Sequence, residues 1–226
     1  MNKDQVRERI LEIGIVPVVR ATSAEEARFA AEAVTEGGIP IVEITMTVPG
    51  AIEVIRDLVK ALPGVMVGAG TVMDVEIGRR AIDAGAEFLV GPGLDVKTVE
   101  MATKNNVFMM AGALTPTEVL QAWGAGSDFI KIFPCAQVGG PDYIKALKGP
   151  MPGIPMVPTG GVNLKNAAAF MLAGSAALGV GGELILKEAV KERAAGPIRD
   201  TAARFVEAVR DTRRQLASAR EAVGMR

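Results

Sequence analysis

The 226-residue chain contains no histidine, which removes Ser-His nucleophiles, imidazole acid/base chemistry and nearly every common zinc site. Catalysis, if any, has to run on Lys, Glu, Asp, Arg or backbone groups. A single cysteine, Cys135, stands alone, so no intrachain disulfide can form and a reducing cytoplasm is the simple expectation. Aromatic residues make up 4% of the chain against 49% for all apolar residues. The core must therefore be built from Val, Ile, Leu, Ala and Met, a composition suited to a parallel sheet covered by helices. No apolar stretch is long enough to span a membrane, and residues 1–13 lack the apolar run and small-residue cleavage site of a secretory signal. Neither charge sign is in excess, with 25 Lys and Arg against 26 Asp and Glu, and no basic face offers itself to nucleic acid.

What is present is a repeat. Short apolar runs rich in β-branched residues fall at 15–19, 41–44, 65–67, 88–90, 107–110, 129–132, 156–157 and 177–180, roughly 20–26 residues apart, with one helix-length segment in each interval. Helix starts are expected at Ser23, Pro49, Asp74, Asp95, Thr115, Pro141 and Asn163, residue types favoured at or near helix N-termini. The pattern predicts a single (β/α)8 TIM-barrel domain over residues 1–226, with an extra N-terminal helix at 2–13 closing one end. A last helix is expected at 197–223, with apolar positions Phe205, Val209 and Leu216 near helical spacing. The rival topology is an open doubly wound sheet, whose support is Gly68-Ala69-Gly70 read as a nucleotide loop.

Catalytic groups of a barrel come from the C-terminal ends of its strands, and three charges stand there. Arg20 ends VVR, Glu43 sits inside VEIT and Lys131 inside KIFP. Burying a charge among Ile, Val and Phe costs several kcal/mol unless it is paired. One reading is a structural Glu43–Lys131 ion pair tying the second strand to the sixth. The other is chemical: a shielded amine near Arg20 should have a lowered pKa, and as the neutral form it attacks a ketone to give an iminium, an electron sink. Glu43 is then the proton shuttle, Arg20 offers a bidentate fork to a carboxylate and Thr71 adds a donor. That set describes a site for a small 2-oxo acid, and its chemistry calls for no metal or other cofactor. Two glycine pairs, Gly160-Gly161 and Gly181-Gly182, follow the last two strands, where barrel loops commonly hold phosphate through backbone N–H groups.

With VVR, VEIT, GAGTV, GPGL, KIFP and PTGG in this order, the chain from Gly14 to about Lys187 resembles the aldolases of 2-keto-3-deoxy-6-phosphogluconate and 4-hydroxy-2-oxoglutarate. The resemblance implies that Lys131 forms the Schiff base, Glu43 is the general acid/base, and Arg20 and Thr71 surround the pyruvate carboxylate. Pro92 and Phe133 are implied to line the same pocket, Gly160, Gly161, Gly181 and Gly182 to hold a phosphate, and the assembly to be a homotrimer. The chain departs from the family pattern at Thr47, where many members carry arginine. A second departure is at Gly182-Glu183, where many have a serine beside the phosphate; Glu183 is expected at the entrance to a short helix, turned outward. Cys135 is read as a packing residue. Alternatives are the same chemistry on 4-hydroxy-2-oxoglutarate or the phosphogalactonate analogue, or a non-catalytic phosphate-binding or assembly scaffold.

Overall fold

The computed structural model describes residues 1–222. Helix α1 (Lys3–Ile13) starts on a capping box: the Asn2 side chain accepts from the Gln5 N–H and the Gln5 side chain accepts from the Asn2 N–H, both at 2.9 Å. Strands and helices then alternate: β1 (Ile15–Val19), α2 (Ala24–Glu36), β2 (Ile41–Thr45), α3 (Ala51–Ala61), β3 (Met66–Gly70), α4 (Val75–Asp83), β4 (Phe88–Val90), α5 (Val96–Lys104) and β5 (Phe108–Ala113). They continue as α6 (Pro116–Gly124), β6 (Phe129–Ile132), α7 (Pro141–Lys148), β7 (Met156–Pro158), α8 (Ala167–Leu172), β8 (Leu178–Val180), α9 (Lys187–Lys191) and α10 (Ala195–Ala222).

All eight strands are parallel and buried along their whole length, as expected when helices cover the outer face of a sheet whose inner face is a core. They follow one another around the sheet, with β1 joined to both β2 and β8. Closure comes from a parallel bridge between Thr159 and Gly179. Glycine is needed there, since a Cβ on residue 179 would stand 2.1 Å from Thr159 Oγ1. The result is the expected (β/α)8 barrel. Helix α1 lies at the N-terminal end of β6: Lys3 pairs with Asp128 at 3.1 Å and the Arg7 guanidinium sits over the Phe129 ring.

The caps expected at Ser23, Asp74, Asp95 and Thr115 all accept from a backbone N–H three residues on, and Pro141 is the first residue of α7. Two starts are corrected. Helix α3 begins at Ala51 with Gly50 as its cap, so Pro49 lies outside it. Helix α8 begins at Ala167, because the Asn163 side chain accepts from the Lys165 and Asn166 N–H groups and closes a local turn first. The Gly68-Ala69-Gly70 stretch is inside β3 and not a nucleotide loop, which removes the support for the open sheet. Helix α10 buries Ile198, Ala202, Phe205 and Val209 on one face. Leu216, near the same helical spacing, is only half-buried, because 28 residues of helix run about 42 Å and outreach the short strands beside them. Val223, at the expected end of this helix, lies outside the described residues.

Candidate active site

Glu43 is the central residue of β2 and Lys131 the third of β6, and both point into the barrel interior. They are 2% and 3% exposed. A small hollow there is lined by Glu43, Lys131, Thr159 and Gly179, with aliphatic side chains of β1, β4, β5 and β7. Room for the glutamate is made by Gly70, where a Cβ would stand 1.9 Å from Glu43 Oε1. Gly112, beside Lys131 in the β5–β6 register, lets the Pro92–Gly93 loop pack down, since a Cβ there would meet the Pro92 carbonyl at 2.4 Å.

The ion pair entertained from sequence is not made: among the described residues no cation pairs with Glu43, and its Oε1 is buried with no hydrogen-bond partner. Burial pushes the Glu43 carboxyl above the usual carboxylate range, and the positive charges of Lys131 and Arg20 only partly oppose this. Glu43 is thus biased toward its protonated, proton-donating form. The Lys131 ammonium position lies 5.3 Å from the centroid of the Phe133 ring, which covers it from the cleft side.

Outside this hollow, at the C-terminal ends of the strands, opens a cleft of about 680 Å³. Thr159 and Gly179 border both spaces, so the cleft leads to Lys131. Arg20, Phe133 and all four expected glycines line it. Arg20 is exposed rather than buried, because it stands one residue beyond β1, where the strand has left the barrel. The glycine pairs are not equivalent. Gly160 and Gly161 have φ of 88° and 79°, a left-handed conformation side chains disfavour, and a Cβ on Gly161 would stand 2.3 Å from that of Ala136. Gly181 and Gly182 have ordinary φ, and a Cβ would meet only the Val18 carbonyl, at 3.8 Å, from Gly181 and nothing from Gly182, so their lack of side chains serves the cleft and not the backbone. The N–H groups of Gly161, Gly182 and Glu183 meet no acceptor among the described residues.

Two expected residues stand apart from this cleft. Pro92 lines a neighbouring hollow on the far side of Phe133. Thr71 directly follows β3 with φ of 58° and borders neither space. Glu183 is exposed at the cleft, but not at a helix entrance: it sits in a turn where the Leu184 and Ile185 N–H groups donate to the Gly181 carbonyl, and α9 starts only at Lys187. Thr47 is exposed and its hydroxyl lies 2.7 Å from that of Thr45, which donates to the Val19 carbonyl. Cys135 is buried with its thiol pushed up to about 12 by desolvation, as befits a packing residue. Sequence reasoning missed Thr159, Lys187 and Lys191, which also line the cleft. Thr159 directly precedes a glycine pair, and the lysines show only an i,i+4 spacing.

A buried amine and an unpartnered carboxyl in one hollow, at the foot of a cleft at the C-terminal end of a barrel, define the class as (β/α)8-barrel enzymes, which carry their chemistry at that end. The sequence profile of the KDPG and KHG aldolases matches residues 6–200, and the chain belongs to that family. It is 35% identical over 182 residues to a 2-dehydro-3-deoxy-phosphogluconate aldolase of Pseudomonas aeruginosa, covering 80% of this chain and 82% of the relative. A KDPG aldolase of Legionella pneumophila, solved with pyruvate captured at low pH as a covalent carbinolamine intermediate, superposes with TM-score 0.81 at 29% identity, over 87% of this chain and 96% of that one. A cube-shaped protein cage designed by fusing symmetric oligomeric domains contains a similar fold, with TM-score 0.85 and 28% identity over 94% of this chain and 78% of the other.

Proposed function

We propose that the chain is a class I aldolase that cleaves 2-keto-3-deoxy-6-phosphogluconate into pyruvate and glyceraldehyde 3-phosphate through a Schiff base on Lys131. The observation that carries this reading is that one water-poor hollow at the foot of an open cleft holds both the Lys131 amine and a Glu43 carboxyl that burial keeps inclined to hold its proton. The neutral amine adds to C2, and its proton passes to the oxygen to give a carbinolamine. Glu43 donates a proton to that hydroxyl, which leaves as water, and the iminium forms. The Glu43 carboxylate, directly or through a water it orients, then takes the C4 hydroxyl proton. The C3–C4 bond breaks, the aldehyde departs, and the bonding pair moves into the iminium as an enamine. Glu43 returns its proton to C3, and hydrolysis releases pyruvate. Arg20, at the mouth, supplies the fork for a carboxylate, and the free N–H groups of the glycine loops suit a phosphate.

The relative with pyruvate captured as a carbinolamine supports the covalent route. Borohydride reduction in the presence of pyruvate tests it: Lys131 should gain a stable adduct and activity should vanish, while Lys131→Ala shows neither adduct nor turnover. An unmodified wild-type protein would overturn the reading in favour of a scaffold. A trimer in the cytoplasm is the setting we infer, supported by the family resemblance, the lone buried cysteine and the symmetric oligomers of the designed cage. Among the described residues no helix is long and apolar enough to cross a membrane. Light scattering should return the mass of three chains.

A further inference from the structure

We propose that Lys187 and Lys191 are specificity-determining residues that draw a doubly charged phosphate ester, in preference to a neutral or singly charged group, into the outer end of the cleft. The inference rests on the aldolase reading above and assigns the substrate's far end. Both lysines line the same cleft as Arg20 and the glycine loops. They lie four residues apart on α9, so they share one helix face about 6 Å apart along the axis. Both are exposed, and neither joins an ion pair or a side-chain hydrogen bond among the described residues. Two cations on one face of a cleft, neither of them paired among the described residues, create a local positive field there.

The other charges at the cleft sharpen this assignment. Arg20 stands at the strand end, nearer the Lys131 hollow, and suits the carboxylate end of a 2-oxo acid. Glu26 is engaged locally, its Oε2 accepting from the Thr22 N–H at 2.9 Å and the Thr22 hydroxyl at 2.7 Å. Glu26 nevertheless remains an anion in the same cleft, and Glu183 would repel an anion at the glycine loop. Against it stand the two lysines of the following helix, and the open space at Gly182 leaves room for a group bulkier than a hydroxyl. The serine that many family members carry in this loop would supply a hydrogen bond; here the two ammonium groups supply charge. A contact between full charges rises steeply with the charge of the ligand and weakens with salt, whereas a hydroxyl hydrogen bond is far less sensitive to salt.

The test uses the full-length enzyme, with Lys187→Gln, Lys191→Gln, the double variant and the two Lys→Arg changes. The substrates are 2-keto-3-deoxy-6-phosphogluconate and its unphosphorylated counterpart, each at low and at high ionic strength. Each Gln change should lower the ratio of the two kcat/KM values by about threefold to tenfold, through KM rather than kcat, with the loss shrinking in high salt. The Arg changes should keep most of the ratio. Pyruvate trapping by borohydride, which reads Lys131 alone, should persist in every variant and so exclude misfolding as the cause. A double variant that keeps the wild-type ratio, or that loses both substrates equally, overturns the assignment while leaving the phosphate reading intact. A wild-type enzyme that does not distinguish the two substrates overturns both.

Discussion

Glu43 shows how one side chain's surroundings set its chemistry. In water a carboxyl of this kind titrates near 4.5, but here burial raises that value and the hollow gives its Oε1 no donor. Between 4.5 and the raised value the folded protein holds a proton that the unfolded chain has lost, so stability falls as pH rises through that window. Glu43→Gln abolishes this titration. The variant's melting temperature should therefore gain on the wild type as pH rises, by about 2–4 °C for each kcal/mol of carboxylate desolvation relieved, while turnover drops about 10²–10⁴-fold and pyruvate trapping survives. Melting curves that track the wild type at every pH would show that Glu43 titrates like an exposed carboxyl. The identities of Lys131, Glu43 and Arg20 as the charges to watch were legible in the sequence, because a charge inside an apolar run has to be explained. Their separate fates were not. Arg20 escapes burial by one residue of strand length, and Glu43 and Lys131 remain unpaired because each strand's position around the barrel, rather than its sequence, sets the distance between them.

At the scale of elements, glycines inside strands shape the barrel. Gly68 makes room for the Phe88 ring, Gly70 for the Glu43 carboxyl, Gly112 for the Pro92 loop and Gly179 for Thr159. In a sequence such residues read as strand breakers or loop signals, and the GAG of β3 invites a nucleotide-loop reading for that reason. What each makes room for comes from a segment 20 or more residues away, a side chain at Gly68, Gly70 and Gly179 and loop backbone at Gly112. Gly179→Ala should force Thr159 aside at the seam that closes β7 onto β8, costing about 1–3 kcal/mol. Adding Thr159→Ala should recover part of that loss, since the nearest obstacle, Oγ1 at 2.1 Å, is gone. Thermal unfolding of the single and double variants checks this; strictly additive losses would mean that the two residues do not meet.

The whole molecule is closed by its two terminal helices. From α10, Arg213 donates through Nη1 to the Glu12 carbonyl and through Nη2 to the Leu11 carbonyl, satisfying the C-terminal end of α1 across some 200 residues of chain. Gly14 must lack a side chain for this to happen, since its Cβ would stand 2.5 Å from the guanidinium. Arg213→Ala should cost about 0.5–1.5 kcal/mol, since water can take the place of the lost donor at these exposed carbonyls, and the amides of α1 should lose hydrogen-exchange protection first. Arg213→Lys should recover less than half, because one ammonium cannot reproduce a two-pronged fork. Unchanged exchange in α1 would refute the clasp. By itself, the amino-acid order determined the repeat of eight strand–helix units, the helix caps at Ser23, Asp74, Asp95 and Thr115, and the lack of any imidazole chemistry, since periodicity, capping and composition act over a few residues at a time. Only the tertiary structure decided that Glu43 stays unpaired, that Thr159 joins hollow to cleft, that Glu183 lies in a turn and that Lys187 and Lys191 border the cleft. Those facts depend on strand register, on barrel closure and on the place where each loop folds back, which are set by packing between segments distant in sequence.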